Sequence, residues 1–273
     1  MNPDLGYGVG LRAAHYPYLR TVPPEQWGVD WFEAITEDFL DGSAGLPMLE
    51  RVRASHPVVL HGVSLNIGST DELNADYLRK VAALADRIEP VWISDHLCWT
   101  GVDGINSHDL WPVPLTTDCL TLVSARIQVV QDYLGRPLVL ENPSSYFEWQ
   151  CSHMPEWEFL GELVARTGCK LLLDVNNTHV SSVNHGFDPT AYVCGVPADS
   201  VAYIHLAGST DHGTHRIDTH DRPVGDPVWP LYQLAQQRTG GVSTLLEWDA
   251  NIPPFPAMVA ELAKARGVRA GMV

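Results

Sequence analysis

Eight short apolar runs, each of a length suited to a buried strand, constrain the fold of this 273-residue chain more than any other feature. Stretches with the apolar spacing of an amphipathic helix separate most of them. Strands that alternate with helices pair in parallel through crossover connections. The runs cover residues 7–11, 31–35, 58–65, 91–94, 137–140, 170–175, 201–206 and 243–247. The clearest helical stretches cover residues 46–54, 72–87, 117–133, 156–166, 229–238 and 255–264.

Eight such units in a chain of this length predict a (β/α)8 TIM barrel. No linker, low-complexity tract or charge run divides the sequence, so we expect residues 1–273 to form one barrel domain. The second and seventh connections are less clearly helical than the others. An open, doubly wound sheet is therefore the alternative architecture.

The glycine-rich start of the chain raises a second possibility. Residues 8–13 read Gly-Val-Gly-Leu-Arg-Ala, which matches a dinucleotide-binding fingerprint. That fingerprint requires a helix to begin directly after it. The sequence that follows, His15-Tyr16-Pro17-Tyr18, is a poor helix start. We therefore interpret the glycines as a first barrel strand that admits close neighbours.

Charge and cysteine usage limit the class of protein. The chain carries 33 acidic and 17 basic residues, for a formal charge of -16, and lacks the Lys and Arg clusters that nucleic acids or anionic membranes attract. Its first residues do not resemble a signal peptide, and no apolar stretch has the length of a membrane span. The five cysteines include no CxxC pair, which favours reduced thiols in a cytoplasmic protein.

Polar residues of one chemical kind stand at the ends of six runs. They are His61, His96, Glu141, Asp174, His205 and Glu247. In a barrel the carboxyl ends of the strands converge on one mouth, where active sites form. Buried carboxylates without partners are costly, and divalent cations bind both imidazole and carboxylate. The sequence therefore predicts a metal site at the mouth.

Three further candidates extend this site. Asp218 and His220 form an Asp-x-His pair beyond the seventh run, and Asn177 follows the sixth. The nine residues divide into three sets, with Glu141 bridging the first two. The sets are His61, His96 and Glu141; Asp174, His205 and Glu247; and Asn177, Asp218 and His220. Imidazole, carboxylate and one amide suit Fe, Mn or Zn, among which the ligand types do not choose.

Other polar residues near the predicted mouth receive supporting roles. Asp249 faces the same side of its strand as Glu247, either as a base or as a hydrogen-bonded structural acid. Asn142 is placed to orient Glu141. On loops near the mouth, we predict that three histidines contact the substrate: His179, His185 and His215.

Two acids near the end of the second run and one buried cysteine are given structural roles. Glu33 and Glu37 are expected to pair with Arg12 rather than to bind metal. Cys98 lies near the predicted mouth, but a buried structural thiol is the ordinary role for such a residue.

In these residues and in several longer motifs, the chain resembles a known family, the multinuclear non-heme iron-dependent oxidases. This family includes oxidases of methanobactin and 3-thiaglutamate biosynthesis. The strings ENPSSY (141–146) and LLLDVNN (171–177) are its most specific motifs. Supporting motifs stand at residues 8–12, 31–37, 60–64, 94–97, 184–186, 205–208, 218–220 and 247–249. The wider superfamily is the xylose isomerase-like barrels. The ligand order also resembles the trinuclear site of endonuclease IV, except that Asn177 stands where the nuclease pattern has histidine.

The resemblance implies oxidative chemistry on cysteine in a ribosomally made precursor peptide, using two or three iron ions and dioxygen. Characterised relatives form oxazolone and thioamide, related thio-heterocycles, or excise the β-carbon of cysteine. They often need a small partner protein that presents the leader of the peptide. One iron would hold the substrate thiolate while a neighbouring Fe(II) activates dioxygen.

Three other functions remain open from the sequence alone. A metal-dependent phosphodiesterase of the endonuclease IV type would use the same ligands, but it would need a basic groove that this acidic chain gives little sign of. A sugar isomerase would need a catalytic lysine near a strand end. A barrel that stores metal or binds a partner would show no turnover at all.

Overall fold

Eight parallel strands form a closed barrel in the computed structural model, which describes residues 3–271. The first strand pairs with both the second and the last: Val9 lies opposite Phe32 on one side and Leu246 on the other. This closure confirms the (β/α)8 prediction and excludes the open sheet. The closed barrel also excludes the dinucleotide-binding interpretation of the glycine-rich start.

Twelve strands lie in the described residues, of which eight form the barrel. In chain order they are β1 Tyr7–Gly10, β2 Trp31–Ile35, β3 Val58–Gly62, β4 Ile93–His96, β5 Cys98–Val102, β6 Ile105–Pro112, β7 Val139–Glu141, β8 Lys170–Asp174, β9 Val201–Leu206, β10 Thr210–Asp211, β11 Arg216–Ile217 and β12 Ser243–Leu246. β5 with β6 and β10 with β11 form two antiparallel hairpins outside the barrel. Both hairpins follow barrel strands at their carboxyl ends, and the sequence analysis missed them.

Nine α-helices lie in the same residues. They are α1 Tyr16–Thr21, α2 Leu46–Arg53, α3 Ala75–Ile88, α4 Thr117–Leu134, α5 Glu156–Thr167, α6 Val175–His185, α7 Pro189–Gly195, α8 Val228–Thr239 and α9 Phe255–Ala270. Within residues 3–271, no helix has the length and apolar character needed to cross a membrane.

Two local predictions were wrong. The segment from His15 to Tyr18 does start a helix, α1, because Pro17 lies in its first turn, where a proline costs no hydrogen bond. The segment after the sixth run is helix α6 rather than a loop. Asp174 ends β8 and caps α6 by accepting a hydrogen bond from the Asn177 amide at 2.6 Å. A strand that passes directly into a helix leaves no turn signal to read.

The interior of the barrel is built in two layers. Side chains of a strand alternate between its faces, so residues two apart point the same way. A buried apolar cluster contains Trp31, Val59, Val139, Leu172, Tyr203 and Leu245. Two residues further along each strand stand Glu33, His61, Glu141, Asp174, His205 and Glu247. The strand period therefore places a ring of polar side chains next to the apolar cluster, on the side of the carboxyl ends of the strands.

The glycines of β1 make room for this interior. A Cβ atom on Gly8 would lie 2.5 Å from the Trp31 ring, and one on Gly10 would lie 2.6 Å from the Arg12 guanidinium. The prediction of a glycine-rich strand that admits close neighbours is confirmed.

Candidate metal centre

A cavity of about 380 Å3 opens at the carboxyl ends of the strands, and we call it the mouth cavity. Eight of the residues singled out in the sequence line it: His61, His96, Glu141, Asn177, Asp218, His220, Glu247 and Asp249. Asp174 and His205 are fully buried and hold the same level of the barrel interior. The structure thus brings all nine predicted metal ligands to one end of the barrel.

Two histidines on adjacent strands face one carboxylate. His61 Nε2 and His96 Nε2 each lie 3.1 Å from Glu141 Oε2. Their other ring nitrogens are engaged outward: His61 Nδ1 lies 2.8 Å from the Ser94 hydroxyl, and His96 Nδ1 lies 3.1 Å from the Gly62 carbonyl oxygen. When Nδ1 donates these bonds, Nε2 keeps its lone pair and points it at the same spot, as a metal ligand must.

His205 is held in the opposite sense. Its Nε2 faces the buried carboxylate of Glu33 at 3.0 Å, so its Nδ1 is directed inward. From Nδ1 the nearest carboxylate oxygens are those of Glu247 at 3.2 Å, Glu141 at 3.7 Å and Asp174 at 3.9 Å. One ligand atom from each of these four residues fits within 4.8 Å of all the others. This set is the second one predicted from the sequence, joined by Glu141.

His220 sits at the outer edge of the mouth. Its Nδ1 lies 3.0 Å from Asp249 Oδ2 and 3.3 Å from Glu247 Oε2, and its Nε2 lies 2.7 Å from Asp218 Oδ1. Ligand atoms of His220, Glu247 and Asp249 meet the same 4.8 Å limit. Of the predicted third set, Asp218 and His220 therefore lie together, with Glu247 and Asp249 close by.

Asn177 lies beside the first set rather than the third. Its Nδ2 donates hydrogen bonds to Glu141 Oε1 at 3.2 Å and to the Asn142 carbonyl oxygen at 3.1 Å. Its Oδ1 is buried and has no hydrogen-bond partner within residues 3–271. The amide thus contacts Glu141 of the first set, while its oxygen remains free to act as a ligand.

The residues present fit a group of cations. Each uncompensated buried polar atom costs roughly 1–3 kcal/mol, and several lie together here. Within residues 3–271, the buried site atoms without a hydrogen-bond partner include Glu33 Oε1, Glu141 Oε2, Asp174 Oδ2, Asn177 Oδ1, His205 Nδ1 and His220 Nε2. All are atom types that bind divalent metals, and bound cations would satisfy them together.

Charge crowding perturbs the pKa values of these groups. Burial alone lowers the pKa of His61, but the carboxylates of Glu33 and Glu141 raise it to about 9. Burial, with the nearby charges of Glu141 and Asp218, raises the pKa of Asp174 well above its usual range. The raised pKa of His61 reflects the neighbouring carboxylates, and that of Asp174 reflects burial first and neighbouring carboxylates second. Bound cations would offset this crowding of negative charge.

A chain of buried hydrogen bonds runs beneath the ligands, and we call it the floor network. His61 Nδ1 contacts Ser94 Oγ, which lies 2.7 Å from the Tyr203 hydroxyl. That hydroxyl donates to Glu33 Oε2 at 2.8 Å, and Glu33 holds His205. The floor network therefore links one histidine of the first set to the histidine of the second. The sequence analysis missed Glu33, Ser94 and Tyr203 as site residues.

The prediction that Glu33 and Glu37 pair with Arg12 was wrong. Arg12 Nη2 lies 3.3 Å from Glu247 Oε1, and its Nε donates to Asp249 Oδ1 at 3.0 Å. Glu37 instead accepts hydrogen bonds from the Val63 amide and the Tyr77 hydroxyl. Arg12 reaches the two acids beyond the end of the neighbouring strand β12, because Gly10 leaves space for its guanidinium. The strand-end rule that selected the other ligands would also have selected Glu33.

Asn142 hydrogen-bonds to the last residue of strand β8 and does not orient Glu141. Its side chain accepts a hydrogen bond from the Asp174 amide at 2.9 Å and donates to the Asp174 carbonyl oxygen at 3.0 Å. The predicted contact with Glu141 is replaced by this pair of bonds, because Asn142 faces the neighbouring strand β8. The side chain thereby fixes the height of Asp174 in the mouth.

The three histidines predicted to contact substrate lie outside the lining of the mouth cavity, within residues 3–271. His179 is buried on α6. His185 ends α6 and lies 2.8 Å from the Ser145 hydroxyl. His215 is exposed and stacks on His212 with ring centroids 5.0 Å apart. Cys98 is fully buried and unpaired, as expected of a structural thiol.

Comparison with known proteins gives a family-wide match. A family model described as "RiPP precursor modification enzyme MbnB/TglH/ChrH" matches residues 6–270. A UPF0276 protein of Anaeromyxobacter sp. (strain Fw109-5) is 52% identical over 268 residues, covering 97% of this chain and 93% of the relative. A UPF0276 protein of Caulobacter vibrioides is 50% identical over 267 residues, covering 97% and 95%.

Solved structures that resemble this one share its fold at low identity. A D-tagatose 3-epimerase-like protein superimposes with a TM-score of 0.66 at 13% identity, covering 98% of this chain and 99% of that one. Endonuclease IV from Thermus thermophilus gives a TM-score of 0.63 at 18% identity, covering 97% and 98%. These likenesses show a shared barrel fold.

Proposed function

Because this chain belongs to the family of ribosomal-peptide (RiPP) precursor modification enzymes that includes MbnB, TglH and ChrH, we propose that it is an iron-dependent oxidase of peptide cysteine. Its substrates are dioxygen and a cysteine-containing precursor peptide made on the ribosome. A small leader-binding partner protein presents that peptide, and the reaction takes place in the cytoplasm. Family membership supports the modification of a precursor peptide, and the grouped His, Glu and Asp side chains support a metal-dependent reaction.

The observation that carries the proposal is the sharing of carboxylates between adjacent ligand groups. Glu141 belongs to two of the groups that can hold a cation, and Glu247 belongs to three. A carboxylate that belongs to two groups would contact two ions at once, so the sharing favours a multinuclear centre. The bound iron would supply a binding position for the substrate thiolate and the electrons that reduce dioxygen.

The donor set of this chain suits that chemistry. We propose nine ligands: His61, His96, Glu141, Asp174, Asn177, His205, Asp218, His220 and Glu247. None of them is a thiolate, so the sulfur would come from the peptide. The mouth cavity of about 380 Å3 leaves room above the ligands for a cysteine and its neighbours.

Asp249 and Arg12 position the outer ligands. Asp249 accepts hydrogen bonds from Arg12 through Oδ1 and faces His220 through Oδ2. Both carboxylate oxygens of Asp249 are therefore engaged. This favours a structural role for Asp249 over a role as a base, the two possibilities that the sequence left open. We propose that this acid holds the His220 ring, while Arg12 balances the charge of Glu247.

Co-expression tests the proposed function. The protein would be produced together with a small cysteine-containing peptide encoded beside its gene, and the peptide would be weighed by mass spectrometry. We expect a mass change that depends on iron and is accompanied by oxygen uptake. His61→Ala and Glu247→Ala should abolish the change, and the exposed Glu158→Ala should preserve it. An unchanged product from both site variants would refute the assigned centre.

A further inference from the structure

A second cavity of about 400 Å3 adjoins the mouth cavity, and we call it the side cavity. The two share Pro143 in their walls. Beyond Pro143 the residues alternate: Ser144 and Tyr146 line the mouth cavity, whereas Ser145 and Phe147 line the side cavity. We call residues 143–147 the dividing segment. Because one short segment separates the cavities, a peptide bound over the mouth cavity has the side cavity within reach of its next side chains.

The walls of the side cavity are aromatic. Its rings belong to Phe147, Trp149, Trp157, Phe187 and Tyr192. The faces of such rings carry negative partial charge and attract ammonium and guanidinium groups. They also accept the aliphatic stem of a long basic side chain. The volume lies in the range of ordinary small-ligand pockets.

The charged groups of the side cavity are acidic. Glu148 and Glu156 line it, and no lysine or arginine is among its lining residues within residues 3–271. Glu156 is half-buried at the first position of α5, and burial raises its pKa to about 7, against the stabilising effect of Tyr192. A carboxyl group in such a place lacks the cation that would favour its charged form.

A buried hydroxyl lies beside Glu156 in the same wall. Tyr192 is 1% exposed, and its hydroxyl faces the Glu156 carboxyl. On the far wall, the Ser145 hydroxyl lies 2.8 Å from His185 Nε2. The cavity therefore offers oxygen acceptors beside Glu156, which suit a group with several N–H donors.

We propose that the side cavity binds an arginine or lysine side chain that lies within two residues of the modified cysteine, an inference that rests on the proposed function. The aromatic walls hold the stem, and Glu156 and Glu148 pair with the charge. The cavity thereby selects precursor peptides with a basic residue beside the cysteine. An apolar side chain would leave the carboxylates without a partner.

Anaerobic binding of peptides to the iron-loaded protein tests this proposal without turnover. Dye-labelled hexapeptides would carry one cysteine and one variable residue at the positions one or two before or after it. The variable residue would be arginine, citrulline, which has nearly the same shape but no charge, or leucine. In at least one register, fluorescence anisotropy should show arginine binding about tenfold more tightly than citrulline, the advantage of one charge-assisted pair.

Two variants locate the preference. Glu156→Gln should reduce the advantage of arginine over citrulline to less than threefold, whereas Glu158→Gln, an exposed change on the same helix turn, should keep it. Thermal melting would confirm that both variants fold. Equal binding of arginine and citrulline in all four registers, undetectable binding of both, or tighter binding of leucine would overturn the proposal.

Full-length precursor peptides that carry the same variable residues, supplied with the partner protein, separate this inference from the proposed function. On admission of air, mass spectrometry would report whether cysteine is modified. An arginine preference without any modification would contradict the oxidase assignment but keep the side cavity. Modification without an arginine preference would do the reverse.

Discussion

Glu33 is the residue whose position says most about how the candidate centre is built. It is fully buried two positions above Trp31 on β2, and it faces His205 Nε2 at 3.0 Å. A carboxylate behind a metal-binding histidine fixes the ring and raises its basicity. Glu33 also accepts a hydrogen bond from the Tyr203 hydroxyl, so it holds two side chains of β9 in place.

We predict that Glu33→Gln weakens iron binding by about 10- to 100-fold, because an amide holds His205 Nε2 less strongly than a carboxylate does. Chelator competition with Fe(II) under anaerobic conditions measures this directly. Glu37→Gln is the matched control, since Glu37 contacts Val63 and Tyr77 rather than a proposed ligand. Equal iron affinity in wild type and Glu33→Gln would show that Glu33 does not support the centre.

Glu156 predicts a pH dependence of stability. Its pKa is raised to about 7 in the folded protein, compared with about 4.3 for an unfolded chain. Between these values the folded state binds more protons, so its stability falls as the pH rises. Glu156→Gln removes this loss and should be more stable than wild type at pH 8, by at most about 4 kcal/mol.

Urea unfolding at pH 5 and pH 8 checks the sign. The gain from Glu156→Gln should be larger at pH 8, and Glu158→Gln should show no such difference. The same gain at both pH values would mean that the Glu156 carboxyl is not perturbed in the folded state.

At the scale of elements, the segment after β9 carries Asp218 and His220 into the mouth and depends on a close backbone approach. A Cβ atom on Gly208 would lie 2.3 Å from the Arg222 carbonyl oxygen. The Gly208 carbonyl oxygen also accepts the His220 amide at 3.0 Å. Crowding at Gly208 would therefore displace the segment that holds the third ligand set.

We predict that Gly208→Ala lowers the free energy of unfolding by about 1–3 kcal/mol and reduces the number of iron ions bound. Gly161→Ala is the matched change, because a Cβ atom on Gly161 meets no atom within 4 Å on helix α5. It should raise stability by about 0.5–1 kcal/mol. Urea titration and metal analysis measure both effects, and full iron content in Gly208→Ala would contradict the predicted displacement.

The sequence predicts a feature of this site only where a local pattern of residues marks it. The strand period placed His61, Glu141 and Glu247 at one end of a barrel, because apolar runs and their terminal polar residues are visible in a single strand. Ser94 and Tyr203 could not be found in this way. Their roles come from the register between strands, which brings together residues far apart in the chain. The side cavity likewise joins α5, α6 and the dividing segment, which no local pattern connects.

At the scale of the whole molecule, the formal charge of -16 includes a compact group of acids at the mouth. Four acids proposed as ligands lie there: Glu141, Asp174, Asp218 and Glu247. Three divalent ions would add six charges and bring the formal total to -10. In the folded protein without bound cations, these carboxylates lie close together and repel one another. The barrel should therefore be less stable without cations than with them.

We predict that Fe(II) under anaerobic conditions, or Mn(II), raises the melting temperature. Free metal at about 100 times its dissociation constant stabilises the fold by about 2.7 kcal/mol per independent site. The effect should shrink as the pH falls, because protons compete for the same histidines and carboxylates. Scanning calorimetry with and without a chelator measures it. If Fe(II), Mn(II) and Zn(II) all leave the melting temperature unchanged, the folded state has no site that binds a cation tightly.

The dividing segment has a consequence for how such a protein can vary. Its odd and even positions serve different cavities, so inserting or deleting one residue would exchange them. Phe147 would then turn toward the metal ligands, and Tyr146 would turn away from them. Most surface loops accept changes in length, but the length of the dividing segment determines which residues line which cavity. Related chains should therefore differ here by substitution and hold the number of residues between Glu141 and Phe147 constant.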